Sequence, residues 1–156
     1  MKIKSCMNPD IKCIHADETL QQAAKIMWEA DCGALPVLNN DQQAIGMITD
    51  RDIAMAGFIQ GLPLSDIPVK DVMSKTLISI GPEQDLAEAE QLMQTKQLRR
   101  LPVINNKKQL VGILSLNDIA AAYKRDSGKQ VKANEVADTL ASICTHRTLA
   151  KTAAVA

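Results

Sequence analysis

Laid on itself at an offset of 66, the chain matches residues 3–56 with 69–122 without a gap, and 17 of the 54 pairs are identical. Lys4/Lys70, Met7/Met73, Ile14/Ile80, Leu20/Leu86 and Met27/Met93 open the series. Leu35-Pro36-Val37 over Leu101-Pro102-Val103, Asn39-Asn40 over Asn105-Asn106, Gly46/Gly112, Asp52/Asp118 and Ile53/Ile119 continue it. Chance would supply only a handful, so the fold must be one supersecondary unit used twice. Each copy is too short to bury a comfortable core alone, so the two are expected to pack on each other.

Both copies carry the same order of patterns. Residues 11–14 and 77–80 read as a short strand, and Gly81-Pro82 breaks the second one. Asp17 and Glu83 follow, where the first turn of a helix favours a carboxylate. Leu20, Ala23, Ala24 and Met27, then Leu86, Ala89, Leu92 and Met93, recur at the three-and-four spacing of a helix with one buried face. Runs at 34–38 and 101–104 predict a second strand, ended by the turn-forming asparagine pairs. Residues 44–49 and 110–115 predict a third strand, and a second helix is expected over about 50–56 and 116–124. The expected fold class is α+β: two β-α-β-β-α repeats, 3–57 and 69–124, packed by a pseudo-twofold and joined by a connector at 58–68. In the tail, 125–156, Val131, Val136, Leu140 and Ile143 are spaced for one added helix over about 129–144, with 145–156 expected to fray.

Charge and composition then exclude several functions. Lys plus Arg is 18 and Asp plus Glu is 18, which argues against a nucleic-acid binder that works by displacing counterions. Trp28, Phe58 and Tyr123 are too few aromatics for a base-stacking platform. No apolar run is long enough to span a membrane, and Met1-Lys2-Ile3-Lys4 lacks the apolar stretch of a signal peptide, so a cytoplasmic location is expected. Cys6, Cys13, Cys32 and Cys144, with His15 and His146, do not have metal-site spacing and are expected to remain thiols and imidazoles. Cys13 and His15 would share one face of a strand, read most simply as a buried thiol beside a surface ring. Met27, Met47 and Met93 read as core filler, Trp28 falls off the buried stripe and is expected to be half exposed, and Lys107-Lys108 reads as a solvated turn. No Ser-His-Asp order, helical metal-ligand pair or phosphate loop is present, so the chain is not expected to be an enzyme.

One motif closes each third strand: Gly46-Met47-Ile48-Thr49-Asp50-Arg51-Asp52 and Gly112-Ile113-Leu114-Ser115-Leu116-Asn117-Asp118. Both place a hydroxyl at a strand-to-helix junction, where free helix N–H groups favour an anion, and a carboxylate one turn on. Such a carboxylate suits the paired hydroxyls of a ribose. The same residues also make good helix caps, Thr49 and Ser115 as N-caps and the aspartates in the first turn.

Two copies of this motif, each after an apolar-Pro-Val strand in a β-α-β-β-α order, resemble the cystathionine-β-synthase (CBS) domain family. The resemblance covers residues 3–124 and is to a tandem CBS pair, or Bateman module, of the small stand-alone bacterial type. It implies regulatory binding of AMP, ADP, ATP or S-adenosylmethionine in two clefts between the repeats, with no required cofactor. One cleft would join Thr49 and Asp52 to Leu98, Arg99 and Arg100, with Arg51 as a further cation. The other would join Ser115 and Asp118 to Cys32, Gly33 and Ala34. The arginines suit phosphate oxygens, whereas Gly33 and Ala34 leave room for a purine and no charge, so the first cleft is expected to take the more phosphorylated ligand. Asp50 would repel that phosphate unless it points outward. The resemblance further implies a homodimer through the second helix of each repeat, with the tail as a further candidate contact, and a protein partner that reads the signal. A structural or interaction module whose clefts bind no nucleotide is the competing expectation.

Overall fold

A computed structural model describes residues 1–145. Repeat 1 contains β1 (Ile14–His15), α1 (Leu20–Glu29), β2 (Ala34–Leu38), β3 (Ala44–Thr49) and α2 (Asp50–Gln60). Repeat 2 contains α3 (Leu86–Lys96), β4 (Arg100–Ile104), β5 (Leu110–Ser115) and α4 (Leu116–Asp126), and α5 (Ala133–Cys144) follows. β1 runs parallel to β2, and β2 pairs antiparallel with β3. β4 and β5 form the matching antiparallel pair.

Local chemistry sets the ends of these elements. Each of the four repeat helices opens on a capping box: Thr19 with Gln22, Thr49 with Asp52, Asp85 with Glu88, and Ser115 with Asp118. Asp17 and Glu83 therefore lie before their helices and not in the first turn. Each asparagine pair makes a hairpin, in which Asn39 Oδ1 accepts from Asp41 and Gln43, and Asn105 Oδ1 from Lys107 and Gln109. Gly61 ends α2 at a positive φ of 63°.

The first strand is shorter than expected. Only Ile14 and His15 pair, with Val37 and Leu38, so Cys13 precedes the strand and shares no face of it with His15. In repeat 2 the strand over 77–80 reduces to a single parallel bridge from Ile80 to Val103. α2 runs on to Gln60, so the connector begins as helix. The tail helix starts at Ala133, because Asp126 accepts from Gly128, Gln130 and Val131 and shapes a loop that buries Val131 ahead of it. The fraying expected at 145–156 lies, beyond Thr145, outside the described residues.

The cores do not divide at the repeat boundary. Ile3 and Cys6, which open repeat 1, belong to the core of repeat 2 with Leu86, Met93, Leu101, Leu114 and Ile119. Ile67, at the end of the connector, and Val69, which opens repeat 2, lie in the core of repeat 1 with Leu20, Leu35, Ile48 and Ile53. The exchange is reciprocal bond for bond. Ile3 N–H donates to Gln84 O and Lys4 N–H to Pro82 O, while Val69 N–H donates to Glu18 O and Lys70 N–H to Ala16 O. Lys4 pairs with Glu83, and Lys70 with Asp17 at 2.8 Å, which holds the Asp17 carboxyl below its usual range. That is where the two early carboxylates act.

Candidate functional site

The glycine of each motif is a close-packing residue set against the exchanged segment. A Cβ on Gly46 would lie 2.5 Å from the carbonyl oxygen of Ser74, and one on Gly112 would collide with Met7 Sδ. At Gly46 the obstacle is backbone, so β3 takes the incoming segment there only without a side chain, whereas at Gly112 it is the flexible Met7 side chain. Met47 N–H donates to Ser74 Oγ and Ser74 N–H to Met47 O, while Asn8 and Ile113 exchange both backbone bonds. Cys6 lies at the same place. Burial pushes its thiol up, and the Asp118 carboxylate adds to the effect.

Both hydroxyl-carboxylate pairs form as the spacing requires. Thr49 Oγ1 donates to Asp52 Oδ2 at 2.7 Å, and Thr49 N–H donates to the same oxygen at 2.9 Å. Asp52 N–H returns a bond to Thr49 Oγ1 at 3.2 Å. Ser115 and Asp118 repeat the arrangement, in the same order, at 2.5 Å, 2.7 Å and 3.3 Å. In each aspartate the cap uses Oδ2, and Oδ1 has no hydrogen-bond partner among the described residues. Each carboxylate thus has a fixed orientation and an oxygen available to a ligand.

The residues ahead of the Leu-Pro-Val strands take up two relationships. Within each repeat they sit beside the motif, Ala34 pairing with Thr49 and Arg100 with Ser115 across the sheet. Asp50 N–H donates to Gly33 O, and Leu116 N–H to Arg99 O. Leu98 N–H closes α3 on Met93 O, and the Leu98 side chain packs on the repeat 2 core. Cys32 packs against the repeat 1 core. Between repeats, one approach stands out. The missing side chain of Gly33 leaves a point 2.8 Å from Asp50 Oδ2 and 3.7 Å from Arg100 Nη2. No hydrogen bond or ion pair joins Leu98, Arg99 or Arg100 to Thr49 or Asp52 among the described residues.

Gly33 and Arg100, expected in separate clefts, therefore face one another. Asp50 turns inward toward Gly33, with its Oδ1 accepting from Arg51 N–H at 2.7 Å. The motif pattern alone gave Asp50 no role; its position directly after the capping Thr49 was the available signal. An open groove of about 470 Å³ runs from this corner between α1 and α2, lined by Ala24, Trp28, Asp31, Cys32, Gly33, Asp50 and Ala54 among others.

The repeated α+β unit and its duplicated motif agree with the family-level comparison. A model of the CBS domain matches residues 3–58 and 69–125. The chain belongs to the CBS-domain family. The CBS domain-containing protein YhcV of Bacillus subtilis is 39% identical over 120 residues, which are 76% of this chain and 82% of that protein. Hypoxic response protein 1 of Mycobacterium tuberculosis is 35% identical over 117 residues, 75% of this chain and 81% of that one. A crystal structure of Hypoxic Response Protein I with two coordinated zinc ions superposes with a TM-score of 0.71 at 34% identity, covering 78% of this chain and 98% of that chain. CBSX2 of Arabidopsis thaliana, solved in complex with AMP, superposes with a TM-score of 0.72 at 22% identity over 81% and 98% of the two chains, a likeness of fold. Among the described residues here, no three or more His, Cys, Asp or Glu side chains converge as metal ligands. All four cysteines are free, and no helix among the described residues is long and apolar enough to cross a membrane.

Proposed function

We propose that this CBS pair is a cytoplasmic regulatory module that binds an adenosine-containing ligand such as AMP, ADP, ATP or S-adenosylmethionine without catalysis, and signals through a partner or its own dimer. The observation that carries this reading is the duplicated capped carboxylate. Asp52 and Asp118 are each oriented by two donors through Oδ2 while Oδ1 stays available, which suits the vicinal hydroxyls of a ribose. Arg100, beside the space left by Gly33, supplies a cation for a phosphate, with Arg99 next to it in sequence and Arg51 next to Asp50. Thr49, Ser115 and the helix N-termini behind them favour the same charge. Cys32, Ala34 and Leu98 contribute the small and apolar surroundings of the base. A fold neighbour solved with AMP agrees with this ligand class.

The second reading, a structural or interaction module with no nucleotide, has its own support. The two capping boxes give Thr49, Asp52, Ser115 and Asp118 a complete structural task. Titration calorimetry with the four ligands separates the two, run on the wild type, Asp52→Ala and Asp118→Ala. Saturable heat that one aspartate substitution abolishes establishes the sensor and its working cleft. Each substitution also removes a cap worth about 1 kcal/mol, so melting curves of the variants accompany the titration. Absence of heat and of thermal stabilisation with all four ligands overturns the nucleotide reading. Arg99→Ala with Arg100→Ala is expected to weaken ATP more than AMP.

A further inference from the structure

In repeat 2, α5 packs on α3 and α4. Its contact with α3 is parallel and in register. Gln94 Nε2 donates to Thr139 Oγ1 at 2.8 Å and Gln97 Nε2 to Ser142 O at 3.3 Å, each pair 45 residues apart. The same register sets Glu90, one turn before Gln94, opposite Glu135, one turn before Thr139.

Glu90 does not fit this contact as packing. It is 6% exposed, and its Oε1 lacks a hydrogen-bond partner among the described residues. Glutamate is almost never fully buried without a partner. Shifted by 66, its counterpart in repeat 1 is Ala24, which lines the open groove between α1 and α2. The acid thus stands in the repeat where a helix lies over it. Burial, followed by the Glu135 carboxylate of α5, pushes the Glu90 carboxyl up, and the Met1 ammonium of the leading segment acts the other way. Cys6 of that segment feels Glu90 together with Asp118 and Arg125 of α4. No ion pair joins any of these groups to Glu90 among the described residues.

Ionisation of Glu90 needs water at Oε1, and water reaches it most readily when α5 lifts. Few side chains hold α5 down, Val131 ahead of it and Val136, Thr139 and Ile143 along it, whereas Met93, Leu101 and Ile119 pack into the core beneath. Ser127 and Gly128, at φ 55° and 74°, form the turn on which it would swing. We propose that α5 is a proton-controlled cover: with Glu90 protonated it lies on the α3–α4 face, and with Glu90 ionised it lifts and bares that face. A carboxyl raised in the closed state stabilises that state in full below the ordinary 4.5. From there the open population rises about tenfold per pH unit up to the closed-state value, then levels. Asp126, in the loop before α5, has the opposite sign. Burial raises its carboxyl, but the N–H groups of Gln130, Val131 and Gly128 outweigh this and hold it below its usual range, so its protonation loosens the loop as pH falls.

Native-state hydrogen exchange of the full chain without nucleotide, from about pH 5 to pH 8 with intrinsic rates divided out, tests the proposal. Amides of α5 are expected to lose protection as pH rises, while those of β4 and β5 in the same sample keep theirs. Glu90→Gln is expected to hold α5 protection constant over that range, and Glu90→Leu, which keeps an apolar side chain there, to do the same. Constant α5 protection in the wild type overturns the proposal. So does an equal loss in β4 and β5, which would mean that the whole repeat opens, or a pH dependence that either variant retains. Nucleotide plays no part in this measurement, so the cover and the nucleotide reading fail separately.

Discussion

Ile3→Ala tests the exchanged cores most directly. Ile3 is 0% exposed and packs with Leu86, Met93 and Ile119 of repeat 2 although it opens repeat 1 in sequence. The change removes three carbons, worth about 2.4 kcal/mol at roughly 0.8 kcal/mol each. The cavity left among rigid neighbours brings the expected loss to about 3–4 kcal/mol, inside the usual range for Ile→Ala. For a chain of this length that is a fall in Tm of about 6–16 °C. Urea unfolding measures the total, and native-state hydrogen exchange shows where it falls. Amides of β5 and α4 should lose protection before those of β3 and α2. Val69→Ala should reverse that order at a cost of about 2–3 kcal/mol, because Val69 is buried in the repeat 1 core. A loss under about 1 kcal/mol for Ile3→Ala, or protection lost first in repeat 1, would refute the exchange.

Two further predictions concern single side chains. Glu90 is only 6% exposed, its Oε1 has no hydrogen-bond partner among the described residues, and burial followed by the charge of Glu135 raises its carboxyl pKa, against the lowering effect of the Met1 ammonium. A raised folded value means a contribution present in full below the ordinary 4.5 and lost as pH rises through the folded value. Glu90→Gln should therefore become more stable than the wild type as pH rises, by about 1–3 kcal/mol, read from paired urea curves across that range. At Gly33 the obstacle to a Cβ is the end of the flexible Asp50 side chain, so Gly33→Ala should shift stability by less than about 1 kcal/mol. Its effect should appear as weaker nucleotide heat, because the new methyl stands between Asp50 and Arg100; a Tm drop of many degrees would show that backbone had to move instead.

How much was legible in the chain depended on whether a feature is local. The helices, the Leu-Pro-Val strands, the asparagine turns and the paired Thr49/Asp52 and Ser115/Asp118 follow from spacing and capping chemistry, which act within a few residues. β1 shrank because an apolar run becomes a strand only as far as a neighbour supplies hydrogen bonds, and Cys13 has none in the sheet. The exchange of leading segments leaves no trace in periodicity, although the matches Lys4/Lys70 and Met7/Met73, ahead of any strand, were its one signal. Nothing in the local spacing marks Glu90, whose helix is covered by one more than forty positions away. Trp28 was expected to be half exposed and is almost fully so, lying on α1 outside the repeat 1 core. Met27 and Met93 are buried as read, while Met47 is only partly so, its strand facing the incoming Ser74.

The reciprocal segments also say what the connector between the repeats is for. A single repeat cut free would carry an apolar leading strip, with Ile3 or Val69 at its centre, that its own core cannot accept. Its natural acceptor would be the core of another such half, so isolated halves would assemble by mutual donation and would need enough protein to find each other. Joining them in one chain replaces that search by an effective concentration of millimolar order for a short tether. The duplication thus makes stability independent of dilution, and leaves association free to be governed by other surfaces.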